Sequence, residues 1–195
     1  MSASVFHCLN NNATSTADTL FVMIKQERTT YYCLDYLHNN HEHHKIMRDD
    51  SSTTTLSADD DSTRVTPADR RKIVDWCYSV IDHCQFDRET VAIAMELADR
   101  FLSSQRASDA RMISEILHSR RLYQLTAMSA LYIAIKLNER VAFGSDFFSA
   151  MSRGAYSVEE VEEMELAIRK GVSWIVNPPM SFQVSLHILS LVVSE

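Results

Sequence analysis

From Leu122 to Leu137 the chain reads LYQLTAMSALYIAIKL, with apolar side chains on every side at helical spacing. A helix that is apolar all round belongs at the middle of a bundle, so this stretch predicts a buried central helix. Amphipathic stretches flank it. Thr66-Pro67 reads as an N-cap followed by Pro at the first helical position, and the helix it opens carries the stripe Ile73, Trp76, Cys77, Val80 and Cys84. Asp87 caps the next helix, whose stripe is Val91, Ala94, Met95, Ala98, Phe101 and Leu102. A polar connection with its own short helix over 108–119 leads into the central one. Ser145 is placed to cap a short helix with Phe147, Phe148 and Met151. Ser157 caps a further helix, striped by Val158, Val161, Met164, Ile168 and Val172, whose Glu-rich first turns suit the helix dipole. After Trp174, Asn177-Pro178-Pro179 stops that helix and marks a junction. An amphipathic helix over 182–193 follows. Either it folds back on the bundle, or most of a second domain is missing.

The N-terminal third is less regular. Residues 1–16, rich in Asn, Ser and Thr, read as a disordered tail. Residues 17–37 form a short helix from Asp18, with Leu20, Phe21, Met23 and Ile24, and then an aromatic segment from Tyr31 to Leu37. Residues 38–65 have no apolar period and read as a linker. Its His38, His41, His43 and His44 lack a Cys partner at zinc-site spacing, so a solvated loop outweighs a metal site. The 49–66 segment also offers phosphorylation-type surroundings at Ser57 and Thr66. A phosphate at Thr66 would lie beside a helix N-terminus, where a negative charge is favoured.

Composition narrows the class. Apolar residues make up 46 % of the 195, with three Gly and three Pro, which favours helices over a turn-rich sheet protein. The length suits one domain and part of a second. A net charge of −7 argues against a nucleic-acid partner, which needs a basic face. The four Cys lack metal or disulfide spacing, which indicates a reducing compartment. Neither a secretory signal nor a stretch of the ~18 apolar residues that a membrane span needs is evident. The expected location is nucleus and cytoplasm, without membrane association. No Gly-rich phosphate loop, nucleophile elbow or paired-carboxylate motif stands out, so neither an enzyme nor a bound cofactor or metal is expected.

Two charges break the apolar pattern. Lys136 lies near the end of the central helix, and Glu165 projects from the stripe of the last bundle helix. A buried charge must find partners, so the two form either an internal ion pair or prongs aimed at another protein. Read singly, Lys136 also fits a stem on the core with its amine in water, and Glu165 an i, i+4 pair with Arg169.

In combination these residues resemble a cyclin box over 66–176. The first-helix pattern stands as Arg70 with Ile73-Val74-Asp75-Trp76, and the second as Asp99-Arg100-Phe101-Leu102-Ser103. The third keeps Gln124-Leu125 and Ala134-Ile135-Lys136, the fifth Met164-Glu165, and the Asn-Pro-Pro junction resembles the linker between two cyclin repeats. The resemblance implies an all-α fold: a five-helix cyclin box around a buried central helix, with an N-terminal helix and, over 177–195, the first helix of an incomplete second repeat. It also implies a regulatory subunit that binds and activates a cyclin-dependent serine/threonine kinase in cell-cycle control. In that reading Lys136 and Glu165 bind backbone groups near the kinase C-helix, and Arg70 and Asp99 form a structural ion pair. Ile73, Trp76 and Gln124 belong to a candidate substrate-docking groove, so kinase substrates are candidate partners too. Asp69 and Lys72 replace apolar residues there, which weakens the case for Arg-x-Leu substrates. Two alternatives stay open: a truncated, non-activating cyclin-box binding module, and a transcription-factor-IIB-like helical module, which the net charge disfavours.

Overall fold

The computed structural model describes residues 3–37, 64–140 and 143–193. All regular structure among them is helical: α1 (Ala3–Thr29), α2 (Pro67–Cys84), α3 (Glu89–Leu102), α4 (Ala110–Leu117), α5 (Arg120–Asn138), α6 (Ser145–Met151), α7 (Val158–Gly171) and α8 (Ser181–Val193). The chain divides into two units, Cys33–Val176 and a smaller one joining Met1–Tyr32 to Asn177–Glu195.

In the larger unit α5 is the axis, with α2, α3, α4, α6 and α7 packed around it. Every residue from Leu125 to Ile135 is buried, as an all-round apolar helix requires. Its small residues Ala127, Ala130 and Ala134 are essentially inaccessible, which lets neighbouring helices approach closely. Ser129 Oγ donates to the Val161 carbonyl at 3.3 Å and ties α5 to α7. The stripe on α3 is buried throughout. On α2 the buried residues are Cys77, Val80 and Ile81, while Ile73, Trp76 and Cys84 are only half-buried. The buried stripe thus lies one position round from the predicted one, because α2 meets the bundle through its C-terminal half.

Caps set the helix starts. Thr66 and Asp69 form a reciprocal capping box on α2, and Ser157 and Glu160 form another on α7. Gly144, not Ser145, is the N-cap of α6; the Ser145 hydroxyl instead donates to Glu162 of α7 at 2.6 Å. The end of α7 also differs from expectation. It stops at Gly171, well before Asn177-Pro178-Pro179, because Ser173 and Trp174 turn into the left-handed region with φ of 58° and 63°. Gly171 is required there: a Cβ on it would lie 2.4 Å from the ring of the buried Phe101.

The larger unit begins earlier than residue 66. Tyr36 anchors its first segment by donating to Asp99 at 2.7 Å. Val65, assigned to the linker by composition, is buried, and its N–H donates to the Leu117 carbonyl at 2.9 Å. The remainder of that linker, residues 38–63 with the histidine cluster and Ser57, lies outside the described residues.

In the smaller unit α1 extends back to Ala3, through the stretch whose composition suggested a disordered tail. No Gly or Pro interrupts it, and the Thr19 hydroxyl donates one turn back to the Ser15 carbonyl instead of competing with the helix. Its partner is α8. The helix that had no evident packing surface in sequence therefore finds one on the N-terminal helix, and Tyr31 Oη adds a hydrogen bond to the Asn177 carbonyl at 2.6 Å.

Candidate functional site

Lys136 occupies the last turn of α5, where a cation complements the helix dipole. Its ammonium lies 3.7 Å from the centre of the Tyr132 ring, one turn back on the same helix. That ring is buried and fixed by Phe148 of α6 at 4.8 Å between centres. Glu165 projects from the middle of α7 toward the same end of α5, and Lys136 Nζ donates to its Oε1 at 2.8 Å. The two ends of the pair differ sharply: the Lys136 side chain is 37 % exposed and that of Glu165 only 5 %. Arg169, one turn further along α7, brings Nη2 within 3.4 Å of the same oxygen. The arrangement combines both simple readings of these charges. They are not independent outward prongs; they close on each other at the surface, with the carboxylate sunk and the ammonium at the rim. Leu137 and Leu166, their immediate neighbours in sequence, are exposed apolar side chains.

A second polar cluster lies between α2 and α3. Arg70 donates to Asp99 through Nε at 3.2 Å and Nη2 at 2.6 Å, a two-point contact that fixes the guanidinium plane. Tyr36 Oη donates to the same carboxylate and lies 3.2 Å from Tyr123 Oη of α5. Burial, reinforced by the Asp99 charge, pushes the Tyr36 hydroxyl far above its ordinary range, so it stays a donor. Burial likewise pushes Tyr123 up to about 12. The hydrogen bonds that Arg70 donates to Asp99 hold it charged.

The residues of the candidate docking groove are not gathered as closely. Ile73 and Trp76 are half-buried on α2, while Gln124 is exposed on α5, where its side-chain oxygen accepts from Tyr156 Oη at 3.2 Å. Nearby Asp69 is committed elsewhere. Its carboxylate accepts from Thr66 N at 3.1 Å and Thr66 Oγ1 at 2.8 Å, with Arg120 Nε at 3.4 Å. Desolvation raises its pKa, but the Thr66 and Arg120 contacts outweigh that and leave it lowered. The Thr66 hydroxyl, at the N-terminus of α2 as expected, is bonded to the Asp69 carboxylate, which a phosphate there would meet as a like charge.

Sequence reasoning missed Arg100. It is buried on α3 with Glu96 at 3.2 Å, and donates to the carbonyls of Ile175 at 3.0 Å and Val172 at 3.4 Å. It thereby holds the left-handed turn after α7. Its position inside the Asp-Arg-Phe-Leu-Ser pattern was the available signal.

Among the described residues, no group of His, Cys, Asp and Glu is arranged to hold a metal ion, and no helix is long and apolar enough to cross a membrane.

Helices packed round a buried central one, with a cation and an anion closing at one end of it, define a cyclin-type domain. The sequence matches the family described as Cyclin, N-terminal domain, over residues 32–177, and the chain belongs to that family. It is 34 % identical over 114 residues to G1/S-specific cyclin-E of Caenorhabditis briggsae, covering 58 % of this chain and 20 % of that protein. It is 32 % identical over 117 residues to Cyclin-D3-3 of Arabidopsis thaliana, covering 58 % and 30 %. G1/S-specific cyclin-E1 of Gallus gallus is 31 % identical over 112 residues, covering 57 % and 25 %. The chain thus spans less than a third of the length of these relatives.

Proposed function

We propose that the chain binds a cyclin-dependent serine/threonine kinase through Lys136 and Glu165 and activates it in cell-cycle control, in nucleus and cytoplasm. The observation that carries the reading is the pair itself. In a domain of the cyclin family, a rim ammonium and a sunken carboxylate stand side by side at the exposed end of the central helix. Lys136 supplies donors for main-chain carbonyls and Glu165 an acceptor for main-chain N–H groups. Binding exchanges part of the internal contact for these. The exchange is favourable in magnitude as long as Arg169 stays beside Glu165: the rim contact of Lys136 is worth about 0–1 kcal/mol, whereas a hydrogen bond to a charged group contributes about 1.5–3 kcal/mol. Exposed Leu137 and Leu166 add apolar contact beside it. Kinase substrates are secondary partners, and the charged surroundings of Asp69 favour ones other than Arg-x-Leu peptides.

Lys136→Ala and Glu165→Ala are each expected to abolish capture of a purified cyclin-dependent kinase while the helical circular dichroism signal is kept. Wild-type capture by both folded variants would refute the assigned roles.

A further inference from the structure

We infer that Arg169 is a positioning residue that takes over Glu165 when Lys136 turns toward its partner. This inference rests on the kinase-binding reading above. Lys136 is held from two sides, by Tyr132 beneath and Glu165 beside it, so reaching another protein's carbonyls weakens its hold on Glu165. Glu165 stays where it is, with its side chain 5 % exposed in the middle of α7, so it meets the partner's N–H groups at that place and still needs a cation beside it. A buried carboxylate stripped of its cation is strongly disfavoured.

Arg169 stands ready to replace it. Nη2 is already 3.4 Å from Oε1, and the buried Nε of the same guanidinium makes no hydrogen bond. Nε and Nη2 form the edge of the fork that matches a carboxylate, so a small approach converts one long contact into two parallel ones. The guanidinium is supported on its face by Trp174, with Cζ 5.4 Å from the ring centre. Trp174 is itself pinned at a positive φ by its N–H, which donates to the Arg169 carbonyl at 2.8 Å. Glu165 therefore shares two cations in the free chain: one at the rim that can leave and one on its own helix that stays.

Two measurements test this. In the full chain, thermal unfolding of Lys136→Ala, Arg169→Gln and the double variant forms a cycle. Either single change leaves Glu165 one cation, so the double variant is expected to lower the melting temperature by more than the sum of the singles. In titrations against a purified cyclin-dependent kinase, Arg169→Gln is expected to weaken binding about tenfold, which corresponds to about 1.4 kcal/mol. Arg169→Lys is expected to recover part of that loss, having the charge but not the fork. Additive melting losses, or wild-type binding by Arg169→Gln while Lys136→Ala fails to bind, would overturn the role of Arg169 and leave the kinase-binding reading intact. Wild-type binding by Lys136→Ala would overturn that reading instead.

Discussion

Asp99 shows how one carboxylate comes to serve three elements. It accepts twice from Arg70 of α2, lies on α3, and accepts from Tyr36 of the segment preceding α2. Removing either partner of the ion pair is therefore not equivalent. Without Asp99, Arg70 and Tyr36 both lose their carboxylate; Arg70, 34 % exposed, can turn to water, whereas half-buried Tyr36 is left with only the longer contact to Tyr123 at 3.2 Å. Without Arg70, Asp99 still holds the Tyr36 hydroxyl. Asp99→Ala is expected to cost about 2–3 kcal/mol and Arg70→Ala about 1–2 kcal/mol, given partial solvent screening of the pair. Urea unfolding of the two variants measures the gap, and equal losses would remove Tyr36 from the account. Arg70 and Asp99 were legible through the resemblance to a cyclin box, since each sits in one of its helix patterns. Tyr36 was not, since no local period links it to a carboxylate 63 residues away. Tyr132 and Arg169 were half-legible: i, i+4 spacing from Lys136 and Glu165 places each on the right face, but not how near it lies.

Among the helices, those with a strong period were readable at their starts to within a residue or two, α2, α3, α5 and α7, although the N-cap of α3 is Arg88 and not the expected Asp87. What periodicity could not give was where each ends and what it packs on. The turn after α7 is an example. Two consecutive non-glycine residues at positive φ are unfavourable locally, and they persist because side chains from elsewhere grip the backbone. Arg106 donates to the Lys170 carbonyl at 2.7 Å and to Ser173, and Arg100 takes the carbonyls of Val172 and Ile175. Arg100 is in turn matched by Glu96. Burial raises the Glu96 carboxyl to about 7, against the opposing pull of Arg100. A carboxyl whose pKa is higher folded than unfolded binds its proton more tightly in the native state. Its contribution is therefore fully present below about pH 4.5 and lost as pH rises through about 7. Stability is expected to decline across that window by on the order of 1–2 kcal/mol from this group, and Glu96→Gln to flatten the decline. Denaturant midpoints at pH 5 and pH 7.5 decide it; an unchanged slope in the variant would assign the decline to other groups.

For the whole chain, the sequence carried the family because the matching charges fall in order along separate helices, a pattern that core packing alone does not demand. It carried the boundaries less well. Low-complexity composition hid Val65, which a contact with Leu117 orders, and polar composition hid the first turns of α1. The site was legible as two residues but not as a geometry: the sequence offered an internal ion pair and outward prongs side by side, and only the structure shows Lys136 and Glu165 closing on each other. That closure bears on the last question, whether the chain activates a kinase or only holds it. Moving a kinase from 1:99 to 99:1 in favour of its active C-helix position requires a preference of about 5.5 kcal/mol. Two charge-assisted hydrogen bonds at about 1.5–3 kcal/mol each supply 3–6 kcal/mol before the internal pair is discounted. With Arg169 still beside Glu165, giving up the rim contact of Lys136 subtracts up to about 1 kcal/mol, which contact through Leu137 and Leu166 must offset. The polar terms alone thus leave about 2–6 kcal/mol against the requirement, and activation depends on apolar contact to close the gap. Saturating a purified cyclin-dependent kinase with the chain is thus expected to raise its rate of substrate phosphorylation, with Lys136→Ala giving none of the increase. A kinase that is bound at saturation yet no faster would make the chain the non-activating module and show that the gap is not closed.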